Sequence, residues 1–258
     1  MNYQFIDVKL EGRLTIITLQ RPESHNALNF GAHEELQHAF DNFASDSEQW
    51  VAIITGSGAK AFCAGHDLKQ QASDANLGTP ANGFGGLTSR FDMNKPVIAA
   101  VNGVAMGGGF ELALACDIII ASHNAVFALP EAKVGLAALA GGMQRLPSLI
   151  GLKRSMGMLL TGRQVNASEG LQLGFVNEVV EGDVMEAARR WASDILACSP
   201  LSVRATKAAV MRSLDVSVSQ ALTEQWGYPQ VQEMLNSQDA IEGPKAFSEK
   251  RLPMWVGH

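Results

Sequence analysis

Three short runs, VAIITG (51–56), PVIAAV (96–101) and DIIIAS (117–122), are apolar almost without interruption. A strand with one wet face alternates apolar and polar residues. A strand apolar on both sides needs cover on both sides, which is the condition of a buried strand in an α/β sheet. AFCAG, ending at Gly65, AVFAL after Asn124 and FVNEVV (175–180) add further strand candidates. Ahead of them, 5–10 and 14–19 meet at Glu11-Gly12 in a hairpin pattern. Phe30, His33, Leu36, Ala39, Phe40 and Phe43 form one stripe at helical spacing, which predicts a helix over 29–45. Residues 103–106 read as a Gly-rich bend leading into a helix over 107–116, and helices are expected from about 141 to 160. After Asp183 helix follows helix, at 183–197, 201–213, 217–235 and 239–250. The expected organisation is therefore an α/β core over 1–195 and a helical part over 196–258. Residues 71–89, rich in Gly, Asn, Ser and Ala and without periodicity, read as a mobile loop of functional use.

The 258 residues are 47% hydrophobic and 18% charged, with a net charge of −6. That composition suits a globular domain and opposes a nucleic-acid partner, which needs a basic face. Cys63, Cys116 and Cys198 are too scattered for a disulfide framework or a CxxC zinc site. No secretory signal or membrane-length apolar run is legible, so no membrane partner and a cytoplasmic location are expected.

Chemistry concentrates in three segments. In Asn102-Gly103-Val104-Ala105-Met106-Gly107-Gly108-Gly109-Phe110-Glu111, three glycines bare the backbone where a helix begins. The first N–H groups of a helix lack intrahelical partners and favour negative charge, so an oxygen that becomes an anion fits there. Glu111 lies one turn beyond Gly108. The glycines could equally serve close helix–strand packing. Neither GxxxxGK[ST] nor GxGxxG occurs, which removes the familiar nucleotide cradles. In AFCAGHDLK (61–69), a strand ends at Gly65 and turns, projecting the N–H of His66. Two such N–H groups from separate turns make an oxyanion hole, and the backbone of His66, rather than its imidazole, is the expected participant. In FALPEAKVGL, Glu131 follows a strand and a proline, and is readable either as a helix-capping acid or as a partner of Glu111. Two carboxylates in one apolar pocket would have their pKa values driven apart.

Together, AFCAGHDLK, KPVIAAVNGVAMGGGFELALACDIIIAS and FALPEAKVGL with GGMQRL resemble the enoyl-CoA hydratase/isomerase, or crotonase, superfamily. RPESHNALN, TGRQVNASEGLQLGFVNEVV and AFSEKR resemble its flanking elements in the same order. The resemblance implies a ββα-superhelix spiral core of the ClpP/crotonase type, with a helical C-terminal trimerisation region. It also implies a homotrimer or a homohexamer made as a dimer of trimers. It places the oxyanion N–H groups on His66 and Gly108, and the catalytic acids on Glu111 and Glu131. Asn26, Ala27, Leu28, Ala64, Asp67, Leu68, Lys69, Gly107 and Leu139 would line the CoA and acyl channel, with Lys250 reaching the adenine end from a neighbouring subunit. No cofactor is implied beyond the coenzyme A of the thioester substrate, and no metal. Both acids being present points to reversible hydration of a 2-enoyl-CoA. The alternatives are a double-bond isomerase using Glu131 alone and a non-catalytic acyl-CoA-binding member. Two departures from the family pattern bear on the substrate. His66 stands where small residues are common. Ala138-Leu139-Ala140-Gly141-Gly142 replaces a Pro-Gly-x-Gly-Gly-like loop, so Leu139 is expected to narrow the acyl pocket while its N–H faces the water.

Overall fold

The computed structural model describes residues 2–67 and 79–258. Leu68, Lys69 and residues 71–78 of the expected loop lie outside the described residues. The hairpin forms from β1 (Ile6–Glu11) and β2 (Leu14–Leu19), and α1 (Phe30–Ser45) follows on an Asn29 cap that accepts from the Ala32 N–H. The three apolar runs become β3 (Val51–Gly56), β5 (Val97–Val101) and β7 (Ile118–Ser122). Between them come β4 (Ala61–Cys63), β6 (Val104–Met106) with α2 (Gly108–Leu114), and β8 (Val126–Ala128).

These strands sort in pairs. The first of each pair, β3, β5 and β7, enters a six-stranded sheet ordered β1-β2-β3-β5-β7-β10, where β10 is Glu178–Val180. The second, β4, β6 and β8, enters a four-stranded sheet ordered β4-β6-β8-β9, where β9 is Val165–Asn166. All pairings are parallel except β1 with β2 and β8 with β9. Repeating one step of this kind winds the chain as a spiral and stacks successive turn regions on one side.

Period-two geometry gives each central strand two cores. Ala52, Ile54, Val97, Ala99, Val101, Ile119 and Ala121 join the cluster between the sheets, α1 and α2. Val51, Ile53, Ile98, Ala100 and Ile120 join a second cluster, covered by Val184, Ala187, Ala188 and Ala192. Those four residues lie on one helix, Val184–Leu196. This two-sided cover is why the runs contain no polar alternation.

After β8 come α3 (Gly142–Ile150), α4 (Leu152–Thr161), α5 (Ala167–Leu173), α6 (Val184–Leu196), α7 (Pro200–Ser213), α8 (Val218–Glu224), α9 (Pro229–Leu235) and α10 (Gln238–Ser248). Asp183, Ser199, Ser217 and Ser237 cap α6, α7, α8 and α10 through their side chains. Among the described residues, no helix is long and apolar enough to cross a membrane.

Several expectations are corrected. The bend at 103–106 holds a strand, β6, because Val104 pairs with both β4 and β8. The helix over 217–235 is two helices, interrupted at Gly227 and restarted at Pro229, whose missing N–H suits a first turn. In FVNEVV only the last three residues are strand, because the Phe175 and Val176 N–H groups turn back to the Gly170 carbonyl. The described end of the loop, 79–89, is not a surface excursion. Phe84, Gly85, Gly86, Leu87 and Thr88 are buried, with Gly86 lying against the backbone of Gln37 on α1.

Candidate active site

The turn after β4 and the strand-to-helix turn after β6 touch at the end of the four-stranded sheet. Gly65 takes a left-handed φ of 95° in the turn after β4, and a Cβ on it would lie 3.2 Å from the Gly108 nitrogen and 2.8 Å from the Met106 carbonyl oxygen. A one-residue parallel bridge between Leu28 and His66 holds this turn. The Leu28 N–H donates to Gly65 at 2.8 Å and the Asp67 N–H to Leu28 at 2.9 Å. Among the described residues, the N–H groups of His66 and Gly108 donate to no acceptor in the chain, which leaves two backbone donors unused at these touching turns.

The three glycines answer separate demands. Gly107, at φ 54°, leaves room for Glu131, whose Oε1 would lie 3.1 Å from a Cβ there. At Gly108 a Cβ would sit 2.5 Å from the Phe84 ring, and at Gly109 it would run into the Cys63 carbonyl. Close packing thus accounts for all three: Gly107 against Glu131, Gly108 against Phe84 and Gly109 against Cys63.

Glu111 is only 3% exposed on α2. Its Oε1 accepts the Gly142 N–H at 2.8 Å, and the Ala140 N–H also reaches it. These donors lie at and just before the start of α3, so Glu111 caps a second helix. Burial, with the charge of Glu131 adding to it and those N–H bonds opposing it, pushes its carboxyl up to about 7. Glu131 opens a one-turn 3-10 helix, Glu131–Val134, behind Pro130. Burial raises its pKa also, and its buried Oε2 has no hydrogen-bond partner among the described residues. Desolvation lifts both, and the two differ in their partners: N–H donors for Glu111, an orphan oxygen on Glu131.

Sequence reasoning missed three contributors. His33 is fully buried on α1, with its Nε2 3.4 Å from His66 Nδ1 and its Nδ1 accepting the Gly85 N–H at 3.0 Å. Phe84 presses on Gly108. Arg145, half-buried on α3, donates to the Thr88 carbonyl at 2.7 Å and sends its positive field to Glu111. A polar residue inside an apolar helical stripe was the available signal for His33, and the GGMQRL segment contained Arg145.

The remaining candidates divide. Leu28 and Ala64 border the His66 turn, and Ala27 is buried beside them. Asn26 is a clamp: it is buried, at φ 55°, and donates to the Ser57 and Ala61 carbonyls at 3.0 and 2.8 Å while accepting the Arg21 N–H. Asp67 pairs with Arg21 at 2.9 Å. At Leu139 the N–H corrects an expectation: it turns back to the Ala137 carbonyl at 2.9 Å and does not face a water, while the side chain is 77% exposed. Lys250 is exposed just beyond α10, with no hydrogen bond or ion pair to these residues among those described.

Comparison with known proteins places this geometry. The family model described as enoyl-CoA hydratase/isomerase matches residues 10–258. Proteins named carnitinyl-CoA dehydratase are similar over nearly the whole chain. The one from Proteus mirabilis (strain HI4320) is 44% identical, covering 98% of this chain and 99% of its own. The one from Citrobacter koseri (strain ATCC BAA-895 / CDC 4225-83 / SGSC4696) is 46% identical, covering 95% and 96%. Among solved structures, an enoyl-CoA hydratase from Mycobacterium tuberculosis H37Rv superposes with a TM-score of 0.93 at 39% identity, covering 98% of this chain and 99% of that one. With a fold, a length and a sequence shared from end to end, the chain belongs to the enoyl-CoA hydratase/isomerase family.

Proposed function

We propose that this protein reversibly adds water across the α,β double bond of a 2-enoyl-CoA, giving a 3-hydroxyacyl-CoA, with Glu111 and Glu131 as its catalytic acids. The carrying observation is the pair itself: a buried carboxylate, Glu111, electrostatically coupled to the half-buried Glu131, beside two unused backbone donors. Burying two acids is costly without a use for them.

The thioester oxygen lies between the N–H groups of His66 and Gly108. In the hydration direction, Glu111 takes a proton from water and the water oxygen bonds to the β-carbon. The π electrons move to the α-carbon and the thioester oxygen, where the two N–H groups meet the developing charge. Glu131 then delivers a proton to the α-carbon. Dehydration runs the same steps backwards, with Glu131 taking the α-proton and Glu111 protonating the departing hydroxyl. The N–H bonds at Glu111 offset part of the burial that raises its carboxyl to about 7, so it ionises near neutral pH, and burial raises Glu131 as well. Each oxyanion donor is worth roughly 2.7–4 kcal/mol in a dry site, and each acid–base contribution about 10²–10⁴-fold.

The names of the relatives make carnitinyl-CoA the first dehydration substrate to offer. Ala27, Leu28, Ala64, Asp67 and Gly107 border the path of the CoA thioester. The active form is a homotrimer or a dimer of trimers, in the cytoplasm. It is joined through the helical part over 196–258, with Lys250 serving a neighbour's CoA. Supporting this are the exposed apolar side chains of Val218, Leu222, Trp226, Ile241 and Phe247.

A panel of crotonyl-CoA, longer 2-enoyl-CoA thioesters and carnitinyl-CoA tests the reading. Turnover of at least one, with water gained or lost at the β-carbon, supports it. Tight CoA-thioester binding with no turnover across the panel gives the non-catalytic reading instead. Migration of the double bond without hydration, unaffected by Glu111→Gln, gives the isomerase.

A further inference from the structure

His33 is a buried imidazole that the proposed water chemistry does not use, yet it touches the supports of both oxyanion donors. Its ring stacks near that of His66, with centroids 5.5 Å apart, and meets Phe84 edge-to-face at 4.6 Å. Phe84 is the ring packed against Gly108. The same side chain therefore bears directly on the His66 turn and, through Phe84, on the Gly108 turn.

The hydrogen bonds around it have one polarity. The Gly85 N–H can only donate, so His33 Nδ1 is the acceptor. A neutral His33 then carries its proton on Nε2 and donates to Nδ1 of His66. His66 is left with its own proton on Nε2. Burial supports the neutral form of both rings: His33 is pushed down to about 4, and His66 is lowered too, with Asp67, itself paired to Arg21, pulling the other way.

We propose that His33 is a positioning residue for the enolate. The directed chain from Gly85 through His33 to His66, together with the His33–Phe84–Gly108 contact, fixes the two backbone N–H groups where thioester charge develops. The inference rests on the oxyanion reading of His66 and Gly108 given above. A group that acts only on developing charge lowers kcat when lost and leaves ground-state binding alone.

Two variants separate the bonds. Asn at position 33 offers an oxygen to the Gly85 N–H and lacks the ring that reaches His66 and Phe84. Leu at 33 fills volume and leaves the Gly85 N–H without an acceptor. Kinetics of His33→Asn and His33→Leu on whichever panel thioester the wild type turns over best, with thermal unfolding of each, give the first readout. The second is a long-range ¹H–¹⁵N spectrum of the wild-type imidazoles at pH 7.5, which reports tautomers without requiring turnover. The expected result is both rings neutral with the proton on Nε2, and His33→Asn folded with kcat reduced by about ten-fold or more and KM within about two-fold. If His33 carries its proton on Nδ1, or if His33→Asn matches the wild-type kcat, the inference is overturned. A drop in kcat that follows loss of folded protein in both variants, with KM rising in parallel, assigns His33 to packing and also overturns it. Absence of wild-type turnover on every thioester would remove the functional reading, and the spectrum would still judge the histidine chain.

Discussion

A carboxylate, a glycine and a histidine differ in how much of their role a sequence discloses. Glu111 is legible because three bare residues precede it on the same helix, a local arrangement. Glu131 is ambiguous along the chain, since its partner stands twenty positions earlier and is reached only through the return path of β7 and β8. His33 is less legible still, because at helical spacing among Phe30, Leu36 and Phe40 it looks like any core position. The pKa of Glu111 carries a prediction at this scale. The folded chain holds its proton up to about 7, whereas the ordinary value is 4.5. The folded state therefore binds more protons than the unfolded one between about 4.5 and 7, and this group's contribution to stability falls as pH rises through that window. Glu111→Gln lacks the titration. Denaturant unfolding at pH 5 and pH 8 should show the variant gaining on the wild type at the higher pH, by roughly 1–3 kcal/mol. Hydration needs Glu111 ionised, so wild-type kcat/KM should rise with pH through about 7.

At the scale of elements, the strands were readable and the joins were not. VAIITG, PVIAAV and DIIIAS declare themselves because burial on both faces leaves no polar alternation. β6 is only three residues long and hides between Asn102-Gly103 and Gly107, since pairing with β4 and β8, not its own composition, makes it a strand. The 138–142 loop hides its backbone for a related reason: the Leu139 N–H turns back to Ala137, and the N–H groups of Ala140 and Gly142 meet Glu111. Gly109 tests how tightly α2 and β4 are joined. A Cβ there meets the Cys63 carbonyl, which is backbone and cannot swing aside. Gly109→Ala should destabilise the protein by roughly 1–3 kcal/mol, read as a lowered denaturation midpoint. An unchanged midpoint would mean the turn relaxes more freely than this packing allows.

For the whole molecule, the spiral brings three distant stretches, around residues 66, 108 and 131, to one side of a four-stranded sheet. No single stretch determines that meeting. The ordered set of motifs did anticipate it, through the resemblance they carry as a group. The helical end leaves Trp226, Ile241 and Phe247 at 60%, 72% and 87% exposure. That much apolar surface on one chain calls for a partner. Light scattering on the purified protein should give the mass of three or six chains, each of 27.6 kDa. A monomer at micromolar concentration would contradict the proposed assembly.

The central claim is that two glutamates share the two proton transfers of water addition. Its most direct measurement is the steady-state kcat for hydrating the best 2-enoyl-CoA substrate, in wild type, Glu111→Gln and Glu131→Gln. The variants keep the shape and hydrogen-bonding capacity of the side chains and lose their acid–base function. Each should lower kcat by about 10²–10⁴-fold with little change in KM. If either variant hydrates that substrate at the wild-type rate, the shared roles assigned to Glu111 and Glu131 are wrong.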